Sequence, residues 1–366
     1  MGTILTVPID SVAAMTAHRS EFRLTRPGAL IAALPAVLGF VPEKSLVLVS
    51  IERGDLGAVM RADLSDELPD NLAHLARVAA ASGTDRVIAV IVDAEGALCP
   101  TCNDDHRVLC EELAAALDLH DVELYAAHVV DRVAAGGRWR CVDGCGADGV
   151  VDDPSASPLA AAAVLDGRRL YPRRTDLQAL IAVGDPKRAA ALAATIDEYL
   201  DRMRTGQGDS GDDVVRRGIE TAMAAAARIS DGSGIDDREV ASVACSLTDI
   251  EVRDTLYALA VGECAGEAEM LWATLARALP DRWRIEPLVL LAFSAYARGD
   301  GPLAGLSLEA ALRIDPQHRM AGMLDTALQS GLRPEEIRRL AGTGYRLAKV
   351  HGVRLPPQRA FGRRIV

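Results

Sequence analysis

The chain has 366 residues, 49% of them apolar and only 4% aromatic, and carries a formal charge of −12. That length exceeds one ordinary core and the apolar fraction excludes disorder over most of the chain, so two domains are expected, with helices packed on small side chains. The acidic balance excludes a body that coats itself on nucleic acid, and no run approaches the roughly 18 uninterrupted apolar residues of a membrane span.

The opening "MGTILTVPIDSVAAMTAHRS" lacks the basic segment, apolar core and small-residue cleavage site of an export signal. "GALIAALPAVLGFV" at 28–41, an apolar run interrupted by Pro35 and too short for a span, reads as a buried helix followed by a turn. "SLVLVSI" and "LGAVMRADL", separated by "ERGD", have the pattern of a β-hairpin. An amphipathic helix is expected at about 70–82, with Leu72, Leu75, Ala76 and Ala79 on one stripe. "RVIAVIVD", apolar on both faces, reads as a central strand. A helix from about Asp104 to Leu117 and the strands "VELYAAHVV" and "RWRCV" complete a mixed α/β sheet with at least one crossover helix.

Past "DDPSASP" at 152–158 the strand signal ends, and the chain reads as helices separated by short turns. "GQGDSGDD" at 206–213 and "SDGSGIDD" at 230–237 are polar breaks without the alternating ligands and terminal Glu of a calcium loop. In "LVLLAFSAYARGDGPLAGLSLEAALRIDP", small or apolar residues fall at Leu291, Ala292, Ala295, Gly299, Ala304, Leu308 and Ala311 before Pro316, which resembles a tetratricopeptide helical pair. From Arg333 onward nine basic residues stand against Glu335 and Glu336, a basic tail on an acidic body. Such a tail folds back on its own chain, docks on an acidic partner, or touches nucleic acid or membrane. Leu355, Pro356, Pro357, Phe361 and Ile365 favour the first, because they can pack as well as pair.

The sulfur-rich stretch "GALCPTCNDDHRVLC" carries the most chemistry. Cys99, Cys102, His106 and Cys110 have the spacing C-x2-C-x3-H-x3-C, but Leu113 and Leu117 continue the stripe through Cys110, which makes that thiol a buried hydrophobe. Cys99 and Cys102 find better mates in Cys141 and Cys145, since each pair sits at the end of a strand and two such loops can close on structural zinc. Three readings stay open: zinc on these four cysteines, a redox pair at Cys99 and Cys102, or thiols without a role. Against the redox pair, "NDD" is expected to stand between the cysteines and the helix, so the helix dipole would do little for a thiolate. Seven cysteines, an odd number with no export signal, fit a reducing cytoplasm.

No glycine loop for phosphate, nucleophile elbow or metalloprotease helix is present. His74 and His128 lie within apolar elements and read as core histidines rather than catalytic ones. Glu43, Lys44 and Ser45 enter the first hairpin strand while Arg61 and Asp63 leave the second, so the turn puts both groups on one side.

Several phrases together resemble an actinobacterial family, the domain of unknown function 4192: "LPAVLGFVPEKSLVLV", "MRADL", "GRWRCVDGC", "AAAVLDGRRLYPRR" and "ARGDGPLAGLSLEAALRIDP". The resemblance implies a cytoplasmic protein of high-GC Gram-positive bacteria and carries no activity, substrate or catalytic residue. The expected organisation is an α/β sheet domain at 1–155, connecting helices at 156–212, a helical tetratricopeptide-like domain at 213–345 and a basic tail at 346–366. The expected role is non-enzymatic: association with a protein partner or with itself, no membrane, and nucleic acid only through the tail. The alternative is an enzyme or small-molecule binder whose pocket lies at the domain junction.

Overall fold

The structure, a computed structural model, describes residues 5–7, 26–52, 55–81, 83–97, 99–165, 170–205, 211–330 and 332–359. It divides into two compact units, one of Met1–Leu177 with Thr326–Arg333, the other of Gln178–Asp325 with Pro334–Val366. Sheet and helices with a helical half behind them is the α/β-then-helical architecture that the sequence predicts. Residues 206–210 of "GQGDSGDD", the centre of "ERGD" and residues 360–366 of the tail lie outside the described residues.

The first unit holds a seven-stranded sheet of β1 (Leu5–Val7), β2 (Ser45–Glu52), β3 (Asp55–Asp63), β4 (Arg86–Val92), β5 (Glu123–Val130), β6 (Arg138–Cys141) and β7 (Asp148–Val150), in the order β1-β3-β2-β4-β5-β6-β7. Every neighbouring pair is antiparallel except β4–β5. That parallel pair needs a crossover, supplied by the helix α3 (Pro100–Asp118). The helices α1 (Pro27–Leu38) and α2 (Leu68–Ala81) precede it in the chain.

Alternation along the strands sorts the sheet's two faces. Leu46, Leu48, Met60, Ala62, Val87, Ala89, Ile91, Ala127 and Val129 form one core with Leu72, Leu75 and Ala76 of α2 and Leu113 and Leu117 of α3. Val47, Val49, Val59, Ile88 and Val90, also buried, line the other face. A Cβ on Gly28 of α1 would meet the Val150 carbonyl oxygen at 2.3 Å, so α1 lies directly on β7. Pro35 does not break α1. It sits in the last turn of a helix buried nearly throughout, and the stop comes at Gly39, whose φ of 76° only glycine adopts freely.

Two expectations are corrected. The α3 helix begins at Pro100, not near Asp104: proline suits the first helical position because its missing N–H needs no partner there, and the Cys99 sulfur caps the Cys102 N–H. His74 is not a core histidine, because it sits at the edge of the α2 stripe and its Nδ1 lies 3.3 Å from an Arg77 guanidinium nitrogen.

The helices α4 (Pro158–Leu165) and α5 (Arg174–Gln178) follow the sheet in the chain, the first unit's main segment ending at Leu177 within α5. The second unit contains α6 (Pro186–Thr205), α7 (Gly211–Ser230), α8 (Asp237–Ser246), α9 (Ile250–Leu256), a 3-10 segment (Tyr257–Val261), α10 (Ala265–Ala278), α11 (Asp281–Ala297), α12 (Gly301–Ile314) and α14 (Pro334–Val350). The remaining helix, α13 (Arg319–Gln329), spans the division between the units. "SDGSGIDD" is a turn into α8, which Asp236 and Glu239 close with a reciprocal capping box.

A helix apolar on every side belongs at the centre of its unit, and α11 is one, buried from Pro287 to Ala297. It packs against α10, α12, α14 and the 3-10 segment. The described part of the tail folds back on its own unit. Gly262 bridges Gln358, the Glu263 and Arg359 N–H groups donate to the Pro357 and Val261 carbonyls, and Tyr345 Oη donates to the Pro356 carbonyl. No helix among the described residues is long and apolar enough to cross a membrane.

Candidate metal centre and dithiol

The turn between β6 and β7 brings three donor groups together. Cys141 ends β6, and its N–H donates to the Ala147 carbonyl to close the hairpin. Gly144 and Gly146, with φ of 77° and 78°, let the chain double back so that Cys145 returns over Cys141. The Asp143 carboxylate accepts the Cys145 N–H at 3.0 Å, and that donor holds its carboxyl below the usual range. The ligand atoms of Cys141, Asp143 and Cys145 all lie within 4.8 Å of one another, the arrangement of a group able to hold a metal ion.

An imidazole stands beside one of them, Cys141. The β5–β6 register pairs His128 with Cys141, and His128 Nδ1 lies 3.5 Å from Cys141 Sγ. His128 is buried, as expected, and Trp139 packs edge-on against its ring with centroids 5.2 Å apart. Burial lowers its affinity for a proton, which leaves the neutral imidazole a metal requires. Burial, with Cys145 and Asp143 adding to it, pushes the Cys141 thiol up to about 12, so an ion would have to displace its proton.

Cys99 and Cys102 form a separate pair. Cys99 caps α3 and Cys102 lies in its first turn, with the Cys102 N–H donating to Cys99 Sγ at 3.5 Å. On β6, Arg140 alternates with Cys141 and points to the face that α3 covers, where it reaches the Cys99 carbonyl at 3.4 Å. The two cysteine pairs are thus neighbours along β6 but belong to opposite faces of the sheet, and only Cys141, Asp143 and Cys145 meet as a ligand group among the described residues. Cys110 is the buried hydrophobe expected, its thiol raised to about 12 by burial. His106 and Asp93 were not paired by any sequence signal, yet His106 Nε2 lies 3.2 Å from Asp93 Oδ2 behind Cys102.

The hairpin's polar cluster also assembles. The register sets Ser45 opposite Asp63, and the buried Arg61 donates from Nε to Ser45 Oγ at 2.8 Å and pairs with Asp63 at 2.5 Å. Arg174, far away in sequence, joins at 3.5 Å from Asp63. Phe40 bridges Tyr171 nearby. Three of the phrases quoted for the family resemblance therefore meet at one end of the hairpin.

No curated protein and no solved structure matches the chain. Residues 27–335 match the family model described as Domain of unknown function (DUF4192), and the chain belongs to that family.

Proposed function

We propose that the protein is an interaction protein, whose helical unit associates with a protein partner or a second copy and whose sheet unit is stapled by structural zinc. The observation that carries the association is the α11–α12 pair. Ala292, Ala295, Ala304, Leu308 and Ala311 are all fully buried where the two helices cross, and Gly299, with φ of 87°, makes the tight reversal between them. Such packing supports reading the pair as tetratricopeptide-like, a module whose common use is association. The folded-back tail, with Arg338 and Arg339 paired to Glu335 and Glu336, supports a protein rather than a nucleic acid as partner. Seven free thiols support a reducing, cytoplasmic compartment.

Size-exclusion chromatography with light scattering, and affinity capture from the native host with the partner identified, test the association. A strict monomer that recovers nothing would overturn it.

The zinc reading rests on donor chemistry. Two thiolates and a carboxylate suit a borderline-soft ion, and the His128 imidazole beside Cys141 is the side chain that would move in to fill a fourth tetrahedral position. With Zn–S of about 2.3 Å and Zn–N of about 2.0 Å, a tetrahedral edge spans about 3.5 Å, the separation of His128 Nδ1 from Cys141 Sγ. Closing one hairpin turn in this way holds structure and performs no reaction. Elemental analysis of freshly purified protein should find one zinc per chain, lost in Cys145→Ser and retained in Cys102→Ser. Metal-free wild-type protein would refute the site.

A further inference from the structure

We propose that Cys99 and Cys102 form a thiol–disulfide exchange centre that reduces a disulfide substrate, with His106 and Asp93 taking the proton of the second thiol. The geometry separates this pair from the zinc ligands and gives its sulfurs unequal roles. Cys99 is the cap of a 19-residue helix, directly after the loop that leaves β4. Its sulfur faces the unpaired N–H groups of the first turn, where negative charge is stabilised. Pro100 removes one of those N–H groups and fixes the backbone between the cysteines. Both thiols are partly exposed, so a substrate can reach them.

Behind the pair lies a buried acid–base couple that the zinc site does not use. His106 stands one turn beyond Cys102 on α3, on the same side of the helix. It is 7% exposed; its Nε2 meets Asp93, and its Nδ1 is buried with no hydrogen-bond partner among the described residues. The backbone makes room for it. A Cβ on Gly96 would come within 2.0 Å of Asp93 Oδ2 and 2.9 Å of His106 Cε1. A buried imidazole with a vacant nitrogen, one helical turn from Cys102, has an evident use as the acceptor of a thiol proton. The thiol acidities agree with this division. The Cys102 backbone N–H and then the Cys102 thiol lower Cys99, while Cys99, burial and the carboxylates of Asp105 and Asp93 raise Cys102.

The exchange balances as follows. The Cys99 thiolate attacks one sulfur of R–S–S–R′, forming a Cys99–S–S–R bond and releasing R′S⁻. Cys102 gives its proton to the His106–Asp93 pair and attacks Cys99 Sγ, so that RS⁻ leaves and a Cys99–Cys102 disulfide forms. Two electrons pass from the protein dithiol to the substrate disulfide, and the leaving thiolates take up the two thiol protons. An external dithiol restores the reduced pair.

The test uses reduced full-length protein freed of reductant. Limiting iodoacetamide should label Cys99 about tenfold faster than Cys264, which stands at the N-cap of α10 but whose sulfur accepts no cap hydrogen bond and whose thiol is raised by burial. Oxidised glutathione should give a Cys99–Cys102 disulfide in peptide mass maps, and Cys102→Ser should stop at glutathione attached to Cys99. His106→Asn should leave the labelling rate of Cys99 unchanged and let the mixed disulfide accumulate, a split that a purely structural role would not give. Insulin, offered with dithiothreitol, separates the sources. Catalysed insulin reduction identifies protein disulfides as substrate, while exchange with glutathione alone identifies small ones. Labelling of Cys99 no faster than Cys264, or no mixed disulfide in Cys102→Ser, overturns the proposal.

Discussion

Two glycines on α14, two residues apart, should respond to the same substitution with opposite signs. Gly344 is where α14 lies against α9 and the 3-10 segment: a Cβ there would sit 2.5 Å from the Thr255 carbonyl oxygen, 2.8 Å from the Ala258 Cβ and 3.0 Å from the Asp254 carbonyl oxygen. Two of those atoms are backbone, and the Ala258 Cβ has no rotamer to change, so α14 itself has to move. Overpacking of this kind costs about 1–3 kcal/mol, and backbone obstruction puts Gly344→Ala toward the upper end. Alanine's better helix propensity returns about 0.8–1.0 kcal/mol, leaving a net loss of about 2 kcal/mol. At Gly342 the nearest atom is the flexible end of Arg346 at 3.9 Å, so Gly342→Ala keeps the propensity gain and stabilises by up to about 1 kcal/mol. For a unit of this size the first change lowers the melting temperature by about 4–8 °C and the second raises it by about 2–4 °C. Thermal and urea unfolding of both variants beside the wild type measure this. Stabilisation by Gly344→Ala equal to that of Gly342→Ala would refute the close approach of α14.

Other outcomes follow from buried charge and buried thiols. Arg298 forms a two-pronged pair with Glu269 at 2.8 and 2.9 Å and a third contact with the buried Asp300 at 2.8 Å, in a partly buried cluster. Arg298→Ala strands both carboxylates and should cost about 3–5 kcal/mol, whereas replacing the exposed partner in the Arg313–Glu309 pair should change stability by less than about 1 kcal/mol in urea titrations. Alkaline pH should also destabilise the fold. Burial raises Cys110 to about 12 and Cys245 to about 11, above an ordinary thiol. The unfolded thiols ionise first, so this contribution is complete below about pH 9 and is lost as pH rises toward the folded values. Urea midpoints measured from pH 8 to 10.5 should fall, and Cys110→Ala should flatten the fall. A slope unchanged in that variant would contradict the assignment.

Periodicity carried most of the fold. The alternation in "SLVLVSI" and the two-sided apolar run "RVIAVIV" set the hairpin and the central strand, because the period of 2 and the need to bury both faces act on neighbouring residues. The helical pair at 281–314 was legible for the same reason, small residues recurring at helical spacing. Helix starts were less so. "CPTCNDD" reads as polar loop, and only a sulfur acting as the cap reveals that α3 begins at Pro100. That one shift of boundary changes the chemistry, since it moves Cys99 from a loop to the end of a helix dipole.

Local spacing alone gave five of the seven strands in order, the clustering of thiols and the paired ends of the hairpin; β1 and β7, three residues each, are too short to carry an alternation. Tertiary structure decided which groups meet. Pleating sends Arg140 and Cys141 to opposite faces, and so separates Cys99 and Cys102 from the turn that gathers Cys141, Asp143 and Cys145. Strand register brings His128 to that turn, and the close approach at Gly96 sets Asp93 against His106. Neither contact has a sequence signature, because each depends on which strand lies beside which, and that is fixed by burying the whole sheet at once.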